Sequence, residues 1–331
     1  MIRAFRYAYI LAKVYGVLAR TYVGNNFHDL LRLKNLEEIF DRLFPGQRAQ
    51  LPEESLPTEL EARIVRAAIA AMADVLAQLG NPPAILVHIL RRYEYQGLKS
   101  VIRSLLRQGL ETPVVWDIGK YAQADLAGAK DYEKAIASSP YAWVLPLLQS
   151  RKPFEIENML DRDYYSRLLQ LARALAPRDR SGVLRLVGLE IALANAVWAL
   201  RLRFFFGLDA AASRPLFVPR MIDAHRRALG EAFEIPADSV EGWRKWKYSW
   251  LIDDQLGESF RSPDPIRAEQ KANRRLAERA HQLFHEDPFT LTPLAAYFKL
   301  KELEEGMLKI AVEARRLSVP ENEVLSLVGA G

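Results

Sequence analysis

The sequence predicts an all-α fold on three observations. Apolar residues recur three or four apart along almost the whole chain, strand-like alternation is essentially missing, and proline turns cut the periodic stretches into helix-sized pieces. Near the start, Leu30, Leu33, Leu36, Phe40, Leu43 and Phe44 keep helical spacing up to Pro45-Gly46. The next breaks fall at Pro52 to Pro57 and at Asn81-Pro82-Pro83, a firm stop because proline has no backbone N–H to donate. Ile85 to Arg107 then reads as one fresh helix with Ile85, Ile89, Tyr93, Leu98, Val101, Ile102 and Leu105 inward, ended by Gly109. Further breaks stand at Pro113, Ser138-Ser139-Pro140, Pro177, Pro215 to Pro219, Ser262-Pro263-Asp264-Pro265 and Asp287-Pro288. Beyond the last, Leu300, Leu303, Met307, Ile310, Ala314 and Leu317 paint one stripe along a long helix. It is expected on the surface of a bundle, its other faces carrying Lys301, Glu302, Glu304, Glu305 and Lys309.

A chain of 331 residues, 50% hydrophobic and 26% charged, is long enough to bury a substantial core and has no stretch too polar or repetitive to fold. The absence of cysteine excludes disulfides, thiolate catalysis and thiolate metal sites together, and suits a cytoplasmic setting. Lys and Arg number 46 against 41 Asp and Glu, an excess of 5 that favours acidic surfaces without amounting to a polybasic arm, so nucleic acid is not indicated. Arg3 to Ala19 faintly mimics a signal peptide, but Lys13 interrupts the apolar run and Tyr7, Tyr9 and Tyr15 punctuate it, so no signal is expected. The most apolar stretch, Leu186 to Leu200, contains Glu190 between Arg185 and Arg201 and is shorter than the roughly 20 residues a spanning helix needs. No transmembrane segment is expected, and any membrane association is therefore peripheral.

Little in the sequence points to chemistry. Gly119-Lys120 lacks the earlier glycine of a phosphate-binding loop and is followed by Tyr121 instead of Ser or Thr. His281 and His285 share a helical face, but Gln282 stands where a zinc protease needs glutamate, so an incidental pair is the simpler reading. The carboxylate pairs Asp161/Asp163 and Asp253/Asp254 have no His or Lys arrangement to complete a site. Helix caps explain them better, with Asp163 before Tyr164 and Asp131 before Tyr132 placed to accept backbone N–H bonds. In Gly242 to Trp250, Trp243, Trp246 and Trp250 share one face of a predicted helix beside Arg244, Lys245 and Lys247. That segment fits an interfacial helix at anionic lipid, base stacking, or an aromatic core stripe with snorkelling cations. No cofactor and no small-molecule substrate are expected.

A unit of short helix, proline turn and long helix recurs about every hundred residues. The long-helix versions run from Tyr93 through Arg103 to Gly109, from Ile191 and Asn195 through Arg201 to Gly207, and from Lys301 to Ile310. Arg103 follows Gly97 by six residues as Arg201 follows Asn195, and each arginine is followed six later by glycine. Three segments follow, 1–115, 116–215 and 216–331. Glu94, Arg103, Arg201 and Glu304 are the repeated polar groups on otherwise apolar helices, which suits either partner binding or pairing between repeats.

These features resemble the C-subunit family of V/A-type ATPases (the d subunit of eukaryotes), whose members carry three similar helical repeats with an acidic residue, then Asn-apolar, then Arg on the long helix. The tail is the most similar part: Pro288-Phe289, Pro293-Leu294, Tyr297, Lys301 to Glu304, Leu308-Lys309-Ile310 and Val319 to Glu323, with Tyr7-Ala8-Tyr9 similar at the other end. Three positions depart from the pattern: Ala192 replaces the acidic residue of the middle repeat, and Gly97 and Met307 replace the Asn of the first and last. The resemblance implies a non-catalytic, funnel-shaped rotor subunit on the cytoplasmic face of a membrane. Its partners would be a central-stalk coiled coil with its companion (D and F type) and the proteolipid ring, and its role the transmission of torque for proton or sodium transport. Candidate partner-contacting residues are Glu94, Arg103, Asn195, Arg201 and Glu304, with Trp243 and Trp246. The competing reading is a stand-alone helical scaffold that binds a partner helix or an anionic membrane through residues 243–250.

Overall fold

The computed structural model describes residues 2–22, 25–47, 52–107, 110–219 and 223–328, and among these there is no strand. Helices α1 (Ile2–Leu18), α2 (Asn25–Leu31), α3 (Leu36–Leu43) and α4 (Leu56–Leu79) come first, then α5 (Ala84–Leu90), α6 (Arg92–Leu106), α7 (Tyr132–Ala137) and α8 (Pro153–Arg173). After these come α9 (Pro177–Phe204), α10 (Ala210–Ser213), α11 (Asp223–Glu234) and α12 (Val240–Lys245), and finally α13 (Pro265–Phe284), α14 (Thr292–Arg316) and α15 (Glu321–Val328). Proline works as starter as well as breaker: α4, α8, α9 and α14 each carry one in the first turn, where its missing N–H has no intrahelical partner to lose. Asn35 opens α3 by accepting from the Glu38 N–H at 2.8 Å, while the Glu38 carboxylate accepts the Lys34 N–H.

The chain packs as two compact units, one of residues 1–80 with 266–331 and one of residues 81–265. The expected segments 1–115, 116–215 and 216–331 rest on internal similarity of the sequence, which these packing boundaries do not test. In the first unit, α14 lies against α4 with α1, α2, α3 and α15 around it. Its core joins Phe27, Phe40, Leu60 and Ile64 to Leu308, Val312 and Val324 from the far end of the sequence. Burying each such side chain stabilises by about 1.5–3 kcal/mol. In the second unit, α8 and α9 form a hairpin closed by three residues, with α5 and α6 packed on α8 and α11 on α9.

Four expectations need correction. The helix expected over residues 85–107 is interrupted at Arg91, and its expected terminator Gly109 lies outside the described residues. Helix α14 is central to its unit: Glu304 and Glu305 are buried, whereas Leu317 from the supposed inward stripe is 61% exposed. Packing on several sides covers the charged faces, which pair with Lys301 and Lys309 along the helix. Asp163 lies within α8 and caps nothing, although Asp131 does cap α7 by accepting the Lys134 N–H. The tryptophan segment is not one helix, because α12 ends at Lys245 and the backbone of Trp246 is extended. Helix α9 is long and apolar enough to cross a membrane by length and composition, but 67% of its most apolar stretch is buried and its Glu190 pairs with Arg92.

Candidate functional site

One polar residue on each of the long helices α6, α9 and α14 fastens a passing stretch of main chain. Glu94, 3% exposed in the first turn of α6, accepts the N–H groups of Gln123 and Ala124 at 2.5 and 2.7 Å through Oε1. Its Oε2 accepts the Tyr141 hydroxyl at 2.8 Å. A buried carboxylate must be satisfied in this way, and hydrogen bonds to a charged group are the stronger kind. In α9 the same role falls to Asn195, whose Oδ1 accepts the Val218 N–H at 2.9 Å while its Nδ2 donates to the Val218 carbonyl at 3.4 Å. In α14, Glu304 accepts the Tyr22 N–H at 2.8 Å and pairs with Lys301.

Glu94 and Glu304 are acidic where the expected repeat pattern puts Ala192 in α9, and Asn195 stands one helical turn beyond Ala192 on the same face. Gly97 stands one turn beyond Glu94, and a Cβ there would meet Val115 at 3.5 Å. The segment Glu94 holds thus runs close over the bare glycine.

Arg103 is half-exposed and paired with Glu157 of α8 at 2.7 Å. Arg201 stands half-buried in the last turn of α9. Trp243 and Trp246 are enclosed, at 0% and 2% exposure. The Trp243 indole N–H is shared between the carbonyls of Pro236 and Ala237, and that of Trp246 donates to the Ala228 carbonyl at 2.7 Å. The two rings meet edge to face at 5.5 Å, with the Arg203 guanidinium over Trp243. Both indoles are thus taken up within the fold. The structure brings Trp243 and Trp246 together but leaves Glu94, Asn195 and Glu304 on separate stretches of main chain.

A polar aromatic network in the second unit was not anticipated from the sequence. Tyr95 donates to Asp163 at 2.5 Å, Asp163 pairs with Arg167, and Tyr95 packs edge-on against Tyr141. His88, 2% exposed, stacks on Tyr164 and donates from Nε2 to its carbonyl at 2.9 Å. Burial pushes the His88 pKa down to about 4. Burial and then the bond to Asp163 raise the Tyr95 phenol, while burial and then the charge of Glu94 raise Tyr141. The signal for this network was a histidine in the apolar run Ile85 to Leu90, with tyrosines spaced to meet it.

Beside Glu94 lies a cleft of about 250 Å³ formed by residues 115–127. His281 and His285 are both exposed, their rings 4.8 Å apart, and among the described residues no group of three His, Cys, Asp or Glu is placed to hold a metal ion.

Comparison with known proteins matches the chain to a family. The family model described as ATP synthase (C/AC39) subunit matches residues 10–327. An uncharacterized protein of Treponema pallidum (strain Nichols) is 24% identical over 89% of this chain and 88% of its own length. Two proteins named as C subunits of A-type ATP synthase are similar as well. That of Methanosarcina barkeri (strain Fusaro) is 22% identical over 76% of this chain and 72% of its own, and that of Methanosarcina mazei (strain Goe1) is 20% identical over 95% and 90%. With its helical fold and a family match over nearly its whole length, the chain belongs to the ATP synthase (C/AC39) subunit family of V/A-type ATPases.

Proposed function

We propose that this chain is the non-catalytic rotor subunit that joins the central stalk of a V/A-type ATPase to its membrane proteolipid ring and transmits torque between them. The observation that carries this reading is the family match over residues 10–327, together with the similarity to the C subunits of two A-type ATP synthases. A coupler between a ring and a single axle needs stiffness, because any give in the body is lost rotation. The clasps of Glu94, Asn195 and Glu304 supply it where stiffness is hardest to achieve, in the segments between helices. Their recurrence, one per long helix, supports the three-repeat organisation with boundaries near residues 115 and 215, and a funnel built from it. In this reading the chain sits peripherally on the cytoplasmic face of the membrane, binds D- and F-type stalk subunits and the ring, and leaves ATP chemistry to other subunits.

The test is affinity capture with the purified chain as bait, against the stalk pair and against the solubilised ring. Retention of both, with no nucleotide hydrolysis by the chain alone, is expected. Failure to retain either would end the proposal. Arg201→Glu should weaken stalk binding with the helical circular dichroism unchanged; a collapse of the helical signal would assign Arg201 to the scaffold instead.

A further inference from the structure

We infer that the end of the second unit where α6 and α9 finish is a docking face for an anionic phospholipid surface. Helix α8 runs antiparallel to both neighbours. Lys99 and Arg103 near the end of α6 pair with Asp161 and Glu157 near the start of α8, at 2.6 and 2.7 Å. Phe206, just past the end of α9, stacks on Phe154 in the first turn of α8 at 4.9 Å. Two helix C-termini and one N-terminus therefore share an end, and large apolar side chains stand out from it. Leu110 is 86% exposed, Phe205 57% and Phe206 41%. Exposed apolar groups gathered at one place mark an interaction surface, whereas single ones need no explanation.

The charges of this end select the partner. Glu111, Glu155 and Glu157 are each engaged by an arginine, respectively Arg107, Arg151 and Arg103, and Asp209 caps α10. Lys152 and Arg214 are exposed and carry no ion pair among the described residues. The dipole of α9 explains the arginines of its last turn, since cations are favoured at a helix C-terminus. It cannot explain Lys152, which precedes α8 at the positive end of that helix, where a cation is disfavoured. Apolar tips among unpaired cations fit the boundary between acyl chains and anionic headgroups, where phenylalanine inserts and lysine or arginine meets phosphate. The face is distinct from the tryptophan segment, whose Trp243 and Trp246 are enclosed.

This inference does not depend on the rotor role, since it concerns direct contact with lipid. It is tested by sedimenting the full chain with protein-free vesicles of phosphatidylcholine, with and without phosphatidylglycerol. Binding is expected only with the anionic lipid and should fade as salt is raised. The double variant Lys152→Glu/Arg214→Glu should bind at least about 25-fold less, since each basic residue near such a surface contributes about a factor of five. Phe205→Ser should weaken binding with an unchanged melting temperature. Sedimentation of the charge variant equal to the parent, equal binding to neutral vesicles, or binding that appears only when proteolipid protein is present would each overturn the inference. Capture of stalk and ring by the charge variant separates a failure here from a failure of the rotor reading.

Discussion

Glu94, 3% exposed, accepts three hydrogen bonds, so what matters there is the cost of leaving its partners unpaired. Glu94→Ala strands two backbone N–H groups and leaves the Tyr141 hydroxyl only the longer bond to the Gln123 side chain, and is expected to lower the unfolding free energy by about 3 kcal/mol. Hydrogen exchange at Gln123 and Ala124 should rise with it, and unchanged protection there would show that the segment is held by something else. His88 adds a pH dependence. Its folded pKa of about 4 lies below the ordinary 6.5, so the unfolded chain takes up a proton first as the pH falls. Stability is therefore full above about pH 6.5 and is lost toward pH 4, by about 2 kcal/mol between about pH 7 and pH 5. His88→Phe keeps a flat ring on Tyr164 and should flatten this slope in urea unfolding, at the cost of one hydrogen bond to a carbonyl that α8 still engages, about 1 kcal/mol at neutral pH. A slope unchanged by the substitution would place the titration elsewhere. Glu94 and Glu304 stood out in the sequence, with Arg103 and Arg201, as polar groups amid apolar helical spacing, and Asn195 through its spacing to Arg201. The identity of the partner was illegible, since Gln123, Val218 and Tyr22 lie far off in sequence and donate through main chain that carries no side-chain signal.

At the scale of elements, periodicity located the helices but misjudged which faces they bury. The stripe on α14 was drawn for a helix with one covered side, whereas this helix is packed on several, so charged residues became interior and found partners along the helix. The tryptophan segment misled for a related reason, because a shared face presumes a continuous helix and α12 stops at Lys245. Its indoles nevertheless hold α11 and α12 together, Trp246 through the Ala228 carbonyl and Trp243 through the turn between them. Trp246→Ala opens a cavity and strips a donor from that carbonyl, so a loss of about 3–5 kcal/mol is expected by chemical denaturation. Trp250, which is less buried, should tolerate alanine with a far smaller shift. Comparable losses at the two positions would mean that burial does not set the cost.

At the scale of the molecule, the two units differ in how the chain builds them. Residues 81–265 are continuous and hold their own clasps, with Glu94 on Gln123 and Ala124 and Asn195 on Val218. The other unit is assembled from both ends of the sequence. Phe27, Phe40 and Leu60 reach a closed core only when Leu308, Val312 and Val324 arrive, and Glu304 must cross to the Tyr22 amide. Residues 81–265 expressed alone are therefore expected to unfold cooperatively, with a strongly helical spectrum. Residues 1–80 alone should lack a cooperative transition, since their half of the core would face water, and should regain one when mixed with residues 266–331. The regained transition should be lost with Glu304→Ala, which releases the main chain of the other fragment, but kept with Glu278→Ala, an exposed residue whose ion pairs lie within α13. A cooperative melt of residues 1–80 by themselves would show that the N-terminal helices complete a core without the C-terminal ones, and that the long reach across the sequence is a later embellishment of an already stable fold.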